Sequence, residues 1–395
     1  MNSETESEAR TQRRVALFGS TGSIGRNTLE VAAAAPHLFQ IEVLTAHSQL
    51  PLLVEQARKF KPSVVVAACE RRAREFDWSG LPPGCRLLTG EEGLAEAARL
   101  PQVDVVVAAI VGAAGLTSTW AAVDAGKRVA LANKETLVMA GQLVMDLARR
   151  RGAEILPVDS EHSAIFQALA AGKRDEVRRI VLTASGGPFR HHTAEQLAEV
   201  SVKEALAHPT WEMGAKITVD SATMMNKALE IIEARWLFEM PAERIEVVIH
   251  PQSIVHSLVE YLDGSVIAQL GPPDMRLPIQ YALTYPERIP CPGPKLDWRR
   301  SWQLRFEPPD TERFPALLLG ARAAREGGTT GAVLNAANEA AVAAFLEGKI
   351  RYCDIEPACR SVLENHQFEA HPELARLLAL DAWARQEVHT WIASS

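Results

Sequence analysis

The chain has 395 residues, of which 47% are hydrophobic and 23% charged, so it is long enough for two or three compact domains. Its formal charge of -7 argues against nonspecific nucleic-acid binding and against docking on anionic membrane surfaces, because both need a basic face. The apolar runs are too short to span a membrane, and the five scattered cysteines form no CxxC pair, so we expect a cytoplasmic protein without a disulfide framework or a zinc knuckle.

Residues 1–12 are polar and acidic, unlike a secretory signal or a transit peptide, and they are predicted to form a disordered tail. From Arg13 to residue 158, short β-branched runs alternate with helical patterns. This alternation predicts an α/β fold, a Rossmann-like, doubly wound parallel sheet with helices on both faces. The strand candidates begin at Val15, Ile41, Ser63, Val103, Arg128 and Glu154.

Residues 159–288 mix strand and helix signals, which predicts a central α+β domain with a mostly open sheet. A strand-like run, IVLTAS, precedes a long helical pattern over residues 222–238. Three strand candidates follow, RIEVVIH, VHSLVEYL and SVIAQL, and the Asp263-Gly264 turn predicts a hairpin between the last two. The Pro-rich residues 289–310 are expected to be a linker, and the Ala- and Leu-rich residues 311–395 a helical bundle.

The run GSTGSIG places three glycines directly after the first predicted strand and at the start of a helix. Glycines let the backbone approach a diphosphate, and the helix N-terminus supplies unpaired N–H groups. The spacing differs from G-x-G-x-x-G, so a tight turn without a ligand is the alternative, but the order strand, turn, helix favours a dinucleotide-binding domain over residues 13–158. The candidate cofactor-binding residues of the turn are Gly19, Thr21, Gly22, Ser23, Ile24 and Gly25.

The end of the second predicted strand distinguishes NAD from NADP. Folds that prefer NAD place a carboxylate there, against the ribose 2′-hydroxyl. This strand ends in Ala46 and is followed by His47, Ser48 and Gln49, without a carboxylate to repel a 2′-phosphate. NADPH is therefore the expected cofactor, and residues 47–49 are its candidate contacts.

Two acidic residues, Asp159 and Glu161, follow the predicted strand EILPV. If the chain is still extended there, residues two apart project to the same side. Two close carboxylates repel each other unless a cation neutralises them, and hard oxygen ligands favour Mg²⁺ or Mn²⁺ over zinc. The alternative is a helix N-cap at Asp159 or Ser160.

A third acid, Glu230, lies in the helical pattern DSATMMNKALEIIEARWLF. Asn226 precedes it by four residues and shares its helix face, and Lys227 is adjacent to that face. The alternative is a solvated helix face on which Glu230 pairs with Lys227 or Arg235.

Seven motifs, taken in order, resemble the 1-deoxy-D-xylulose 5-phosphate reductoisomerase family, and the similarity extends from about Arg13 to the C-terminus. The resemblance implies a homodimeric enzyme that uses NADPH and Mg²⁺ or Mn²⁺. It would rearrange a small sugar phosphate, 1-deoxy-D-xylulose 5-phosphate, and reduce it to 2-C-methyl-D-erythritol 4-phosphate in the non-mevalonate isoprenoid pathway. The motifs are GSTGSIG, LANKE, PVDSEHSAIFQ, LTASGGPFR, HPTWEMG, VDSATMMNKALE and GPPDMR.

The same resemblance implies a role for individual residues, with residues 159–288 as the catalytic and dimerisation domain. Residues 207–215 would be a lid over the substrate, with Trp211 and Met213 packing above it. The implied metal ligands are Asp159, Glu161 and Glu230, and the implied catalytic residues are Lys134, Glu161 and His208. The implied substrate-binding residues are Lys134, Ser160, Glu161, Ser185, His208, Trp211, Ser221, Asn226, Lys227 and Glu230, of which Ser185, Ser221, Asn226 and Lys227 would hold the phosphate. Asn133, Glu135 and Gly214 would contact the cofactor.

The sequence departs from the family at residues 47–49, where a glycine and an asparagine are common. His47 would stack on the adenine, meet the 2′-phosphate, or lie at the surface without a role. His162, His250 and His256 are expected to make structural hydrogen bonds rather than ligate a metal.

The alternative functions are a semialdehyde-type dehydrogenase without a metal, a nucleotide sensor without catalysis, and a metal-dependent sugar-phosphate isomerase without redox chemistry.

Overall fold

The computed structural model describes residues 12–211 and 213–394, so the tail predicted for residues 1–12 lies outside the described residues except for Gln12. The strands of the amino-terminal sheet are β1 (Arg13–Phe18), β2 (Phe39–Ala46), β3 (Val64–Ala67), β4 (Arg86–Thr89), β5 (Val105–Ala108), β6 (Arg128–Leu131) and β7 (Ile155–Pro157). They form a seven-stranded sheet with the order β4-β3-β2-β1-β5-β6-β7, in which every neighbouring pair is parallel. The predicted strands are confirmed. β4 was missed, because RLLT is short and lies partly exposed at the sheet edge.

Helices cover both faces of this sheet, as the alternation of sequence patterns predicted. They are α1 (Ser23–Ala34), α2 (Leu50–Phe60), α3 (Glu70–Glu75), α4 (Gly90–Ala98), α5 (Leu116–Asp124) and α6 (Glu135–Arg151). Side chains alternate along β1, so Val15 and Leu17 pack in one hydrophobic cluster with Leu29 of α1. Ala16 and Phe18 pack on the opposite face with α4, α5 and α6. The Rossmann-like, doubly wound architecture is confirmed.

The strand order reverses between β1 and β5. Gly19, which follows β1, has a φ of +86°, and a Cβ at this position would lie 2.6 Å from the carbonyl oxygen of Ala109, which follows β5. Glycine therefore allows the two loops to approach each other. Such a reversal point leaves a crevice at the carboxyl ends of the strands, where doubly wound folds bind their ligands.

A second sheet follows, with strands β8 (Val177–Ala184), β9 (Ile245–Ile249), β10 (Val255–Tyr261) and β11 (Val266–Leu270). Its order is β11-β10-β8-β9, with β8 and β9 parallel and the other pairs antiparallel. The predicted hairpin at Asp263-Gly264 joins β10 to β11, so the α+β prediction is confirmed. The helices of this part are α7 (Ser160–Ala168), α8 (Ala194–Ala198), α9 (Val202–Ala205), α10 (Ala215–Ala222), α11 (Met225–Leu237) and α12 (Arg276–Thr284).

The helix predicted over residues 222–238 begins later than expected. Met224 adopts a left-handed backbone with a φ of +63°, which separates α10 from α11. The hydroxyl of Thr223 accepts the Met225 N–H at 3.3 Å and so supports the new start. The break sets the direction of α11, which carries Asn226, Lys227 and Glu230.

The carboxyl-terminal part is helical, as predicted, with α13 (Ala316–Glu326), α14 (Thr330–Leu346), α15 (Ile355–Asn365) and α16 (Leu374–Ser394). Short 3-10 turns lie at Ala113–Gly115, Leu169–Ala171, Arg174–Glu176, Ala242–Arg244 and Tyr352–Asp354. α14 packs against α15, α16 and α6, so this bundle adjoins the first sheet's helices. None of the helices in the described ranges combines the length and the apolar character needed to cross a membrane.

Candidate active site

A cavity of about 380 Å³ opens at the carboxyl ends of β1, β5, β6 and β7. The segments after β8 and before α10, together with α11, form its other walls. This is the sheet edge at which doubly wound folds bind ligands. The predicted site residues that line it are Gly22, Ser23, Ile24, Asn133, Lys134, Glu135, Asp159, Ser160, Glu161, Ser185, His208, Trp211, Gly214, Ser221, Asn226 and Lys227.

Three carboxylates converge around two lysines at one end of this cavity. The Nζ of Lys134 lies 2.6 Å from Oδ2 of Asp159 and 3.3 Å from Oε1 of Glu230. The Nζ of Lys227 lies 2.9 Å from Oε1 of Glu161 and also contacts Oε2 of Glu230. Oxygens of Asp159 and Glu230 lie within 4.8 Å of each other, whereas Glu161 is linked to Glu230 through Lys227. The three predicted metal ligands thus share two lysines, although they come from two separate stretches of the sequence.

The backbone brings them together in a different way from the one expected. The chain is not extended between Asp159 and Glu161, because α7 begins at Ser160 and Asp159 is its N-cap residue. The two carboxylates consequently face different lysines instead of projecting side by side. The expectation of strand alternation was wrong, and the alternative that a helix starts here is correct, although the Asp159 side chain makes no capping hydrogen bond.

Glu230 is fully buried, so the alternative of a solvated helix face is wrong for this residue. Burial raises the pKa of Glu230 to about 7, with help from the nearby Glu161 and Asp159 carboxylates and against the two lysines. Burial would also raise the pKa of Asp159, but the ammonium group of Lys134 holds it well below its usual range. The cluster holds one carboxylate more than it holds ammonium groups, and this excess negative charge favours a cation.

His162 lies beside this cluster, and one of its ring nitrogens is within 4.8 Å of carboxylate oxygens of Asp159 and Glu230. Its Nε2 donates to the backbone carbonyl of Glu230 at 3.1 Å, and its Nδ1 faces the Glu233 carboxylate at 3.5 Å. His162 thus makes the structural hydrogen bond that was expected of it. The hard carboxylate oxygens of Asp159, Glu161 and Glu230 are the donor set that fits Mg²⁺ or Mn²⁺.

His250 and His256 also have structural partners. His250 donates from Nδ1 to the Arg305 carbonyl at 2.8 Å, and its Nε2 accepts the N–H groups of Ile254 and Val255. His256 lies in the cavity wall, where burial lowers its pKa against the effect of hydrogen bonds with the backbone of Pro272 and Gly271.

Hydroxyl, amide and ammonium donors form a second group in the cavity. The Ser185 hydroxyl accepts the Gly187 N–H at 3.2 Å. A Cβ at Gly187 would lie 2.6 Å from the carbonyl oxygen of Ser221, so glycine here allows the Ser185 turn to pack against the end of α10. Asn226 accepts from Nζ of Lys134 at 2.7 Å and donates to Oε1 of Glu230 at 2.6 Å. The donor group and the acidic cluster are therefore continuous.

The segment predicted as a lid, residues 207–215, is described except for Glu212. The Nδ1 of His208 accepts the N–H groups of Thr210 and Trp211 at 3.1 and 3.0 Å. Because Nδ1 is an acceptor, the proton of the neutral ring lies on Nε2, which donates to the Ser185 hydroxyl at 3.1 Å. Burial lowers the pKa of His208, which favours this neutral form.

The remaining predicted cofactor contacts lie around the amino-terminal crevice. Gly22 is the N-cap residue of α1 and has no side chain to cover the helix N-terminus. His47, Ser48 and Gln49 are exposed at the end of β2, away from the cavity wall. Gly19, Thr21, Gly25 and Glu230 also lie outside the cavity lining.

Comparison with known proteins extends these observations to the whole chain. A family model described as 1-deoxy-D-xylulose 5-phosphate reductoisomerase matches residues 15–141. Two models described as the carboxyl-terminal domains of this enzyme match residues 155–238 and 270–387. The chain belongs to the 1-deoxy-D-xylulose 5-phosphate reductoisomerase family. The resemblance of the seven motifs is therefore confirmed.

Relatives and solved structures cover nearly the full length of this reductoisomerase-family chain. The Heliobacterium modesticaldum reductoisomerase is 53% identical over 95% of the chain and 96% of its own length. The Geobacter metallireducens reductoisomerase is 52% identical over 97% of the chain and 100% of its own length. A reductoisomerase crystal structure in complex with NADPH, fosmidomycin and magnesium superposes with a TM-score of 0.91 at 44% identity, covering 96% of this chain and 98% of that one. The Zymomonas mobilis enzyme in complex with NADPH superposes with a TM-score of 0.90 at 43% identity, covering 98% and 100%.

The sequence did not single out two polar residues in the cavity wall of this family member. Lys216 lies 3.3 Å from Oε1 of Glu135 and 2.7 Å from Oδ2 of Asp220. Asp220 in turn accepts from Asn338 of α14 at 2.9 Å. Burial would lower the pKa of Lys216, but the Asp220 and Glu135 carboxylates outweigh it and raise the pKa above its usual range. The sequence offered a signal for both residues, because Asp220 stands in the quoted motif VDSATMMNKALE and Lys216 follows the last residue of HPTWEMG by two positions.

Proposed function

We propose that this chain catalyses the NADPH-dependent rearrangement and reduction of 1-deoxy-D-xylulose 5-phosphate to 2-C-methyl-D-erythritol 4-phosphate. This reaction is a step of the non-mevalonate isoprenoid route. The observation that carries the proposal is the convergence of Asp159, Glu161 and Glu230 around two lysines, beside the crevice of a doubly wound sheet. Family membership over 95% of the chain supports the same chemistry.

The acidic cluster is the proposed binding site for Mg²⁺ or Mn²⁺, with Asp159, Glu161 and Glu230 as ligands. When bound, the cation polarises the substrate carbonyl and stabilises the negative charge that develops on its oxygen, which is worth several kcal/mol. Lys134 and Lys227 now neutralise these carboxylates. If these carboxylates held a cation instead, the two ammonium groups would be free to contact the oxygens of the substrate.

Donors after β8, at the end of α10 and at the start of α11 form the proposed phosphate site, namely Ser185, Ser221, Asn226 and Lys227. Each hydrogen bond to a charged phosphate oxygen contributes about 1.5–3 kcal/mol. Lys134 contacts the substrate hydroxyls as a charged donor, because the neighbouring Asp159 and Glu230 carboxylates outweigh burial and raise its pKa well above the usual value. Ser160 completes the substrate contacts next to Glu161.

Residues 207–215 form the proposed lid. The Nε2 proton of His208 points toward Ser185, so it can donate to the substrate when the lid is closed. Trp211 and Met213 add apolar cover to the cavity. A closed lid excludes water and retains the aldehyde formed by the rearrangement until it is reduced.

NADPH, which supplies the hydride, is proposed to cross the crevice between β1 and β5. Its diphosphate binds at the glycine turn and the N-terminus of α1. Asn133, Glu135 and Gly214 lie on the nicotinamide side, and residues 47–49 on the adenosine side. The proposed contacts of the turn are Gly19, Thr21, Gly22, Ser23, Ile24 and Gly25.

We propose the following domain roles: residues 13–158 bind NADPH, residues 159–288 carry catalysis and dimerisation, residues 289–310 are a linker, and residues 311–395 form the helical domain.

We also propose a homodimer. The edge strand β11 exposes Val266 and Ile267, with exposed fractions of 51% and 39%. Because neighbouring residues of a strand point to opposite faces, β11 is exposed on both of its faces. Such an edge favours pairing with a second copy.

The cysteines of the described chain are free thiols, which suits the proposed cytoplasmic location.

A coupled assay tests the function. The absorbance of NADPH is expected to fall when 1-deoxy-D-xylulose 5-phosphate and Mg²⁺ or Mn²⁺ are added, to stop falling with EDTA, and to resume with excess metal. A fall that EDTA leaves unchanged would favour a metal-free dehydrogenase. An unchanged absorbance would contradict the proposal and favour a nucleotide sensor, or an isomerase if the substrate is still consumed.

A further inference from the structure

The loop after β5 forms one wall of the cavity, and a carboxylate from the carboxyl-terminal helices holds this loop. Residues 109–111 line the cavity beside the glycine turn. The Ala113 N–H donates to Oε1 of Glu339, on α14, at 3.1 Å. The two residues are 226 positions apart in the sequence, so the position of this wall depends on a distant helix.

The peptide group between Gly112 and Ala113 is held from both sides. The Gly112 carbonyl accepts from Nδ2 of Asn133 at 3.0 Å, and the same amide donates to Oε2 of Glu135 at 2.8 Å. Gly112 has a φ of +76°, and a Cβ there would lie 2.9 Å from Oε1 of Glu339. The contact with Glu339 therefore needs a glycine, and it connects the loop to the residues proposed to lie near the nicotinamide.

Glu339 is itself fixed in place. Its Oε2 accepts from Nη2 of Arg385, on α16, at 2.6 Å, and Arg385 also pairs with Asp381 at 2.7 Å. Its Oε1 accepts a second hydrogen bond from Asn335 at 3.1 Å. The guanidinium of Arg385 and the amide of Asn335 therefore fix both carboxylate oxygens of Glu339 in the position from which Oε1 accepts the Ala113 N–H.

We propose that Glu339 is a positioning residue for the nicotinamide half of the NADPH site, which it fixes by holding the loop after β5 through the Ala113 N–H. This inference rests on the proposed function. The loop lies at the reversal point of the sheet, where a dinucleotide crosses the strands, so a small displacement of the loop changes the shape of the cofactor site. The helical domain thereby contributes to cofactor binding without touching the cofactor.

Two conservative variants separate this role from a merely structural ion pair. Glu339→Gln keeps the length of the side chain and an acceptor oxygen for Ala113, but loses the charge that pairs with Arg385. Glu339→Asp keeps the charge but is one methylene shorter, which draws the acceptor away from Ala113. Fluorescence titration without substrate is expected to show NADPH binding weakened at least about tenfold in Glu339→Asp and within about threefold of wild type in Glu339→Gln. The KM for NADPH should follow the same order, with kcat at saturating NADPH changed less than about twofold.

Equal NADPH affinity in Glu339→Asp and wild type would overturn the proposal. Weaker binding in Glu339→Gln than in Glu339→Asp would also overturn it, since the ion pair would then be what matters. Gly112→Ala, whose Cβ would press on the same carboxylate oxygen, provides an independent variant and is expected to weaken NADPH binding.

Matched controls are Glu347→Gln and Glu347→Asp at the exposed end of α14, where Glu347 pairs with Lys349 at 2.5 Å. Both controls should bind NADPH as wild type does, and thermal unfolding of every variant reports its stability. If the wild type binds NADPH but does not oxidise it with the substrate, the proposed function fails while the titration still tests Glu339.

Discussion

Glu230 owes its proposed role to burial as much as to charge. On an exposed helix face a glutamate beside a lysine is a weak surface pair, worth about 0–1 kcal/mol. Here the carboxylate has no exposed surface and contacts both Lys134 and Lys227. Two further carboxylates lie around the same lysines, so burial and mutual repulsion raise its pKa to about 7. A buried excess of negative charge at this position favours a cation.

Glu230→Gln tests this interpretation, because it removes the charge while nearly preserving the shape. Metal-dependent turnover is expected to fall at least roughly 100-fold, since the loss of one charged ligand weakens a contribution of several kcal/mol. NADPH affinity should stay within about twofold, because the residue lies away from the glycine turn. Steady-state kinetics with varied Mn²⁺ and an NADPH titration measure both.

Glu243→Gln is the control for that substitution, since Glu243 pairs with Arg325 at the surface. It should leave both quantities unchanged. Unchanged metal dependence in Glu230→Gln would mean that Glu230 is not a ligand, and loss of NADPH binding as well would mean that it serves the fold.

At the scale of elements, the segment proposed as a lid is organised by the ring of His208. The two N–H groups that donate to Nδ1 of His208 fold residues 208–211 into a tight turn, and Nε2 ties that turn to Ser185 after β8. Protonation puts a hydrogen on Nδ1 and removes both acceptor interactions. The local structure of the lid is therefore coupled to the charge of its own histidine.

This coupling predicts a pH dependence with a definite sign. Burial lowers the pKa of His208 from its ordinary value of 6.5, so the folded lid binds the proton more weakly than an unfolded one. The stabilising contribution is thus fully present above pH 6.5 and is lost as the pH falls through the lower pKa of the folded state. The fluorescence difference between wild type and Trp211→Phe should change below pH 6.5.

His208→Gln should abolish that change, whereas His389→Gln, on the exposed face of α16, should retain it. A transition centred above pH 6.5, or one that persists without the imidazole of His208, would exclude this origin.

At the scale of the whole molecule, local patterns predicted the architecture better than the contacts within the site. Buried strands such as β5 are continuously apolar, so the doubly wound sheet could be predicted, whereas RLLT in β4 is too short and too exposed to stand out. The three acids could be named from their motifs. Lys134 could be named in the same way, but its position between Asp159 and Glu230 could not be predicted, because it meets Glu230 across 96 positions of sequence.

Long-range contacts of the last helices were the hardest to predict. Asn338 and Glu339 look like ordinary polar positions in the alanine-rich run NAANEAA. In the structure they reach Asp220 and Ala113, which are 118 and 226 positions away. Pattern and propensity describe neighbours in sequence, so they carry no information about such pairs.

The proposed homodimer yields the prediction that depends on the whole molecule. Light scattering on the wild type should give about twice the chain mass of 43.1 kDa at micromolar concentration. If β11 pairs with a second copy, Ile267→Lys buries an unpaired charge at the contact and should weaken the dimer at least roughly 100-fold. Leu318→Lys places the same charge at an exposed position of α13, with an exposed fraction of 56%, and should leave the mass unchanged. A wild type with the mass of one chain would contradict the dimer, whereas a dimeric Ile267→Lys would exclude the β11 edge as its interface.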